Sequence, residues 1–339
     1  MNFIVLGAGA IGCYVGGRLA LGGQSVTLVG RPKVIDALAV HGLTVTDLDG
    51  FNGHVDAAAL RLATSLRDAA VNGDGDTVIL LCVKGGGTEA AAREMAQTCR
   101  PGTTVVSLQN GVDNVARIQA NAPQMHVLAG MVPYNVVMTD GQGGHSVHRA
   151  TTGSLHIERC LASEQLAPLF NAAGLPTELS DDMRSVQWGK LLLNLNNPVN
   201  ALSGLPLKAQ LQDRDLRRVL ADLQNEALGV LAHVGITPAK VAAVAPRVLP
   251  HLLRLPNWLF TRVAARMLRI DASARSSMWD DLQQGRTTEI DDMCGAVVRL
   301  ANAHGRAAPL NARMCELVVQ HKTGQRLSGP QMHQALSVN

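Results

Sequence analysis

The chain has 339 residues, 47% of them hydrophobic and 17% charged, with a net charge of +3. That is enough length for about two domains and enough apolar material for sizeable cores. So weak a charge, with only 3% aromatic residues, excludes a nucleic-acid reader built on basic patches and stacking platforms.

The first elements read strand, turn, helix, strand. Phe3 to Leu6 is a short apolar run suited to a buried parallel strand. Gly7-Ala8-Gly9-Ala10-Ile11-Gly12 follows and fits G-x-G-x-x-G. In that pattern the first glycine permits a tight turn, the second admits a pyrophosphate, and the third lets helix and strand pack closely. Ala10 to Leu21 has helical spacing, with Ile11, Val15 and Leu19 on one stripe, and Ser25 to Val29 is the second strand. The free N–H groups at the helix start suit phosphate. This context predicts a dinucleotide site formed by residues 7 to 12.

The second strand ends in Gly30-Arg31, and the first acid after it is Asp36. An NAD site places Asp or Glu at that strand end to accept from the ribose 2′-OH. A guanidinium instead pairs with a 2′-phosphate, so Arg31, with Lys33 beside it, predicts NADP(H). The alternative is an arginine that only solvates a loop.

Further along, Thr77 to Val83 and Thr103 to Leu108 read as strands flanking a helix over Thr88 to Cys99. Lys84 and Asn110 fall at the carboxyl ends of those strands, where doubly wound sheets bind ligands; position alone also allows ordinary loop residues. From Met131 to Ile157 the pattern alternates around the turn-rich Asp140 to Gly144, which predicts an antiparallel extension of the sheet.

From about Asp181 the chain becomes helical. In "QWGKLLLNLNNPVNALSGLPL", Gln187 to Leu207, residues Lys190, Asn194 and Asn197 stand at i, i+4 and i+7 among leucines. Pro198 cannot bond the Asn194 carbonyl and should kink the helix. A freed carbonyl beside a lysine–asparagine stripe could build a polar pocket; the other reading is an interhelical hydrogen-bond network without a ligand.

The six cysteines form no C-x-x-C pair and the eleven histidines no H-x-x-x-H pair. Neither a disulfide framework nor a metal site is expected, and a reducing, cytoplasmic setting fits. The N-terminal apolar stretch does not read as a signal peptide, and no membrane span is expected.

These residues together resemble the ketopantoate reductase (2-dehydropantoate 2-reductase) family of the 6-phosphogluconate dehydrogenase-like group. The resemblance spans nearly the whole chain. It is carried by the Gly7–Gly12 turn, Arg31, "CVKGG", "LQNGVDN", "WGKLLLNLNNPVNAL", and "SSMWDDLQQGRTTEID" followed by "ANAHGRAAPLN". It implies an α/β Rossmann N-terminal domain over 1–178, binding NADP(H), and an all-α substrate and catalytic domain over 179–339. It implies Lys190 as the catalytic lysine, and Glu289 as the glutamate that touches the nicotinamide ribose or the substrate hydroxyl. Asn194, Asn197 and Ser277 correspond to substrate-binding residues, and Lys84 and Asn110 to cofactor-side residues.

The implied activity is NADPH-dependent reduction of 2-dehydropantoate to pantoate, a step of pantothenate biosynthesis, by a monomer or homodimer. Alternatives are reduction of another small 2-oxo acid and a non-catalytic NADP-binding sensor. Two departures stand out. Only Leu195 and Asn196 separate Asn194 from Asn197, one residue fewer than the family's usual form, so Asn196 competes with Asn197. The Val241 to Ile270 stretch is long and carries Arg247, Arg254, Arg262, Arg266 and Arg269. It reads as a lid, a membrane-surface helix, or a packed surface hairpin.

Overall fold

Successive residues of the first strand, β1 (Asn2–Leu6), are buried in two different cores: Phe3 and Val5 in one, Ile4 and Leu6 in the other. A strand whose alternate side chains are both buried belongs to a sheet covered on both faces. The fold, described from a computed structural model over residues 1–70, 77–141, 144–241, 244–265 and 274–337, has that form. It divides into two compact units, Met1–Met183 and Arg184–Asn339.

The strands after β1 are β2 (Ser25–Val29), β3 (Leu43–Asp47), β4 (Asn52–Val55), β5 (Arg61–Ala63), β6 (Thr77–Leu81), β7 (Thr104–Ser107), β8 (His126–Met131), β9 (Val136–Gly141), β10 (Gly144–Arg149), β11 (Leu155–Glu158) and β12 (Thr177–Ser180). The main sheet runs β12-β11-β8-β7-β6-β1-β2-β5. It is parallel from β8 to β5, with β11 antiparallel to β8. The helices of this unit are α1 (Ala10–Leu21), α2 (Pro32–His41), α3 (Leu66–Ala70), α4 (Thr88–Thr98), α5 (Asn114–Asn121) and α6 (Leu161–Ala172). The chain leaves β1 toward β2 on one side and returns to β6 on the other, so the strand order reverses between β1 and β6. Such a switch point is where open α/β sheets receive ligands.

One expectation is corrected here. The alternating stretch after Met131 does not simply extend the main sheet. β9 and β10 pair with each other, but β10 then pairs in parallel with β3, making a separate sheet ordered β4-β3-β10-β9. That pairing joins residues about a hundred positions apart, such as Arg149 with Asp47, and local alternation carries no signal of it. β12 pairs with β11 and so belongs to the main sheet, within the compact unit Met1–Met183.

The second unit is helical among the described residues: α7 (Met183–Asn194), α8 (Asn196–Ser203), α9 (Leu207–Gln212), α10 (Arg214–His233), α11 (Leu249–Leu253), α12 (Asn257–Val263), α13 (Ser277–Gln283), α14 (Ala296–Ala303), α15 (Pro309–Val319) and α16 (Gly329–Ser337), with a π turn at Asp291–Gly295. The helix break falls at Leu195, between α7 and α8. Pro198 has no N–H for the Asn194 carbonyl, so the ladder fails one turn before the proline.

The described part of the arginine-rich stretch is pinned onto α10. Arg217, fully buried, donates to the carbonyls of Leu211, Leu253 and Leu255 and to Asn257 Oδ1 at 2.7–2.9 Å. Its guanidinium also stacks on Phe260, 4.1 Å from the ring centre. This is the packed arrangement of a surface hairpin; Arg266 and Arg269 lie outside the described residues.

Candidate active site

The glycine turn is built from steric necessity. Gly7 has φ +115, and a Cβ there would stand 2.7 Å from backbone atoms of Cys82 and Val83, at the end of the neighbouring strand. A Cβ on Gly12 would overlap the Gly7 carbonyl oxygen. Gly7 N and Ala8 N both donate to Val29 O, at 2.9 and 2.8 Å, locking the turn onto the end of β2. Gly9 differs: a Cβ there would meet nothing within 4 Å. A glycine that no protein atom requires, at a helix start with no side-chain cap, leaves room for a ligand and unsatisfied N–H groups to hold it. A dinucleotide pyrophosphate fits these residues.

Arg31 caps the start of α2 through its backbone, with Val34 N and Ile35 N donating to its carbonyl at 2.9 and 3.1 Å. Its side chain is exposed and makes no hydrogen bond or ion pair among the described residues. Lys84 is exposed and Asn110 partly exposed. A buried amide network that sequence reasoning missed ties their loops together. Gln109 Nε2 donates to Val83 O at 2.9 Å and to Thr88 Oγ1 at 2.7 Å. Ser107 Oγ donates to Gln109 Oε1 at 3.0 Å, and Asn114 Nδ2 to Asn110 O at 2.7 Å. Gln109 lies inside "LQNG", but nothing in the pattern told it apart from a loop residue.

In the second unit, burial pushes the Lys190 ammonium down to about 8, and the Glu289 carboxylate works against that shift. The two side chains therefore sense each other across 99 positions of sequence. Glu289 lies two residues before the π turn and accepts Asp292 N at its carbonyl, 3.1 Å; π turns are often found at functional positions. Gly189, beside Lys190, is required by close approach: a Cβ would overlap the Ala239 carbonyl, and Ala239 N donates to Ser185 O at 2.9 Å.

The asparagines separate by environment. Asn194 is partly exposed, and its side chain has no hydrogen-bond partner among the described residues. Asn196 is engaged: its Oδ1 accepts from Gln210 Nε2 at 2.7 Å. Asn197 is partly exposed, and its Nδ2 reaches only Met293 Sδ, at 3.8 Å.

Asn200 is fully buried and donates to Leu205 O and Gln210 Oε1, at 2.9 and 3.2 Å. Its Oδ1 accepts from Ser276 N at 2.9 Å. Ser276 caps α13, its Oγ accepting from Trp279 N at 3.3 Å and lying 3.3 Å from the Asn197 carbonyl. Ser277, one residue on, is exposed. Both serines suit a helix cap, so sequence alone could not say which turns inward.

Among the described residues, no group of three or more His, Cys, Asp or Glu is placed to hold a metal ion. No helix among them is long and apolar enough to cross a membrane.

Comparison with known proteins matches residues 3–160 to the family "Ketopantoate reductase PanE/ApbA" and residues 182–322 to its C-terminal counterpart. A 2-dehydropantoate 2-reductase of Halobacterium salinarum is 29% identical over 322 residues, 94% of this chain and 98% of that protein. The crystal structure of a PanE/ApbA family ketopantoate reductase from Ralstonia eutropha JMP134 superposes with TM-score 0.77 at 30% identity, covering 94% of this chain and 97% of that one. A ternary structure of D-mandelate dehydrogenase with NADH and anilino(oxo)acetate shares the fold, with TM-score 0.74 at 22% identity and both chains fully covered. Ketopantoate reductases use NADPH. Both halves of the sequence and the fold lead to one assignment: the chain belongs to the PanE/ApbA ketopantoate reductase family of oxidoreductases.

Proposed function

We propose that this protein reduces 2-dehydropantoate to pantoate with NADPH. The observation that carries the reading is the lysine of "WGK", poised near pKa 8 by burial with Glu289 beside it. Reduction of a ketone leaves negative charge on its oxygen. Lys190, protonated at neutral pH, offsets that charge and gives the proton to the forming hydroxyl. Glu289 holds Lys190 toward its charged form and orients a substrate hydroxyl or the nicotinamide ribose. Asn194, Asn197 and Ser277, each with side-chain donors and some exposure, hold the substrate carboxylate and hydroxyl without ionising. The first-turn amides after Gly9 take the pyrophosphate, Arg31 the 2′-phosphate, and Lys84 and Asn110 the rest of the cofactor. NADPH, when bound, supplies the hydride.

A second reading is reduction of a different small 2-oxo acid. The observation in its favour is the shortened spacing between Asn194 and Asn197, which alters where the second amide stands. Purified protein, NADPH and 2-dehydropantoate, followed at 340 nm, test both. Oxidation with 2-dehydropantoate supports the first reading, and oxidation only with other 2-oxo acids the second. Tight NADPH binding without turnover on any 2-oxo acid rejects both in favour of a nucleotide-binding sensor.

A further inference from the structure

A cavity of about 580 Å³ in the first unit shares no lining residue with the glycine turn, Arg31, Lys84 or Asn110. It is lined by Arg18, Asp47, Asp49, Arg149, Thr152 and Ser154, among others. Arg18 and Arg149 are only 8% and 6% exposed. Both reach the same oxygen, Asp47 Oδ2, at 3.3 and 3.2 Å, so the two guanidiniums are held side by side.

Asp47 has no capacity left for more. Its Oδ1 already accepts Asp49 N at 2.9 Å and Phe51 N at 3.0 Å. Two buried cations thus share one buried carboxylate. The second carboxylate, Asp49, pairs with Arg149, but its side chain is 59% exposed and is screened by water. The lining thus carries two charges of each sign, with Asp49 the carboxylate most open to water.

The guanidinium hydrogen bonds are also incomplete. Arg18 uses Nε on the Ala173 carbonyl at 2.9 Å and Nη1 on Asp47. Arg149 uses Nη2 on both aspartates. Arg18 Nη2 and Arg149 Nη1 are not used in these bonds, and Arg149 Nε is buried without a partner. A buried donor left unmade, as Arg149 Nε is, is costly and calls for an explanation. Thr152 and Ser154 add two hydroxyls on the same lining.

We propose that this cavity binds a phosphoryl group, free or on a small carrier, between Arg18 and Arg149. Paired guanidiniums match phosphate oxygens bidentately. Three acceptor oxygens suit two guanidiniums and two hydroxyls better than the two of a carboxylate do. The volume is that of a small-molecule pocket, so a phosphorylated metabolite has room for its carrier.

The test is calorimetric titration of the full chain with inorganic phosphate and with glycerol 3-phosphate, in excess NADPH so that the nucleotide site does not contribute. Saturable binding is expected. Binding of both ligands assigns the site to a phosphate ester, and binding of inorganic phosphate alone assigns it to the free ion. Asp49→Asn should tighten binding about threefold at low salt, by removing one unit charge several ångströms away. Thr152→Asp, a change at an exposed position, should abolish binding. Absence of saturable binding to the wild-type chain, or binding unaltered in Thr152→Asp, overturns the proposal.

Discussion

Ser276 places its hydroxyl 3.3 Å from the carbonyl oxygen of Asn197, joining the start of α13 to the start of α8 across 79 positions of sequence. Asn200 closes the same junction from below by accepting Ser276 N. Two residues proposed to hold substrate, Asn197 and Ser277, are thereby fixed relative to one another by neighbours that do not themselves need to touch it.

That junction predicts the behaviour of Asn200→Ala. The substitution leaves the Leu205 carbonyl and Ser276 N–H without their side-chain partner in a buried place. Each such loss costs about 1–3 kcal/mol. Urea unfolding should therefore show a lower midpoint, and steady-state kinetics a raised KM with kcat less affected. An unchanged KM would mean that the junction serves stability alone.

Lys190→Met keeps much of the apolar stem and removes the charge and the proton. Loss of one group that stabilises developing charge typically lowers kcat about 10²–10³-fold. The same variant should be more stable than wild type at pH 7. There the ammonium is charged in both folded and unfolded states, and its burial is a cost, on the order of 3 kcal/mol for a shift of this size. The sign follows from the lowered pKa. Wild-type stability should rise between about pH 8 and 10.5, as the folded chain sheds a proton that the unfolded chain keeps. The difference between variant and wild type should shrink over that window. Near-wild-type kcat in a folded Lys190→Met protein would remove Lys190 from the mechanism.

The same group sets a pH profile for the reduction. With Lys190 as the acid, kcat/KM should be level below about pH 8 and fall tenfold per pH unit above it. Glu289→Gln removes the carboxylate that holds the lysine in its charged form, so the break should move to lower pH. A break that stays in place would separate Glu289 from the lysine's titration.

Arg31→Ala should weaken NADPH binding by about 1.5–3 kcal/mol, the range for a hydrogen bond to a charged group. NADH binding should change little, because NADH has no 2′-phosphate. Fluorescence titration with both cofactors measures the contrast. Equal use of both by the wild-type chain would defeat the argument from Arg31.

Gly9→Ala and Gly12→Ala should fail in different ways. At Gly9 the backbone is extended, with φ −96, and a Cβ meets no protein atom. The free chain should then be as stable as wild type, or more so by about 0.4–1 kcal/mol, while NADPH affinity falls at least about tenfold, or 1.4 kcal/mol. At Gly12 the Cβ collides with backbone, so the fold itself should be destabilised. Thermal melts with and without NADPH distinguish the two.

Much of this protein was determined by local sequence. The β1–turn–α1–β2 unit, the strand ends carrying Lys84 and Asn110, and the break ahead of Pro198 all follow from short-range sterics and hydrogen bonding. Each is written within a few residues: a glycine where no Cβ fits, a proline without an N–H, an apolar run between turns. Pairings across long stretches of chain belonged to the tertiary structure alone. Local alternation suggested strands β9 and β10 but could not say that β10 lies on β3. The motif pointed to Asn197 with Asn196 as its competitor, and to Ser277, whereas the fold buries Ser276. Gln210 engages Asn196 and Asn200 holds Ser276, because a buried amide must find a partner wherever packing brings one. The acidity of Lys190 is likewise a product of the fold. Its shift comes from the burial that surrounds it and from a carboxylate 99 positions away, and neither is a property of the residues beside it in the chain.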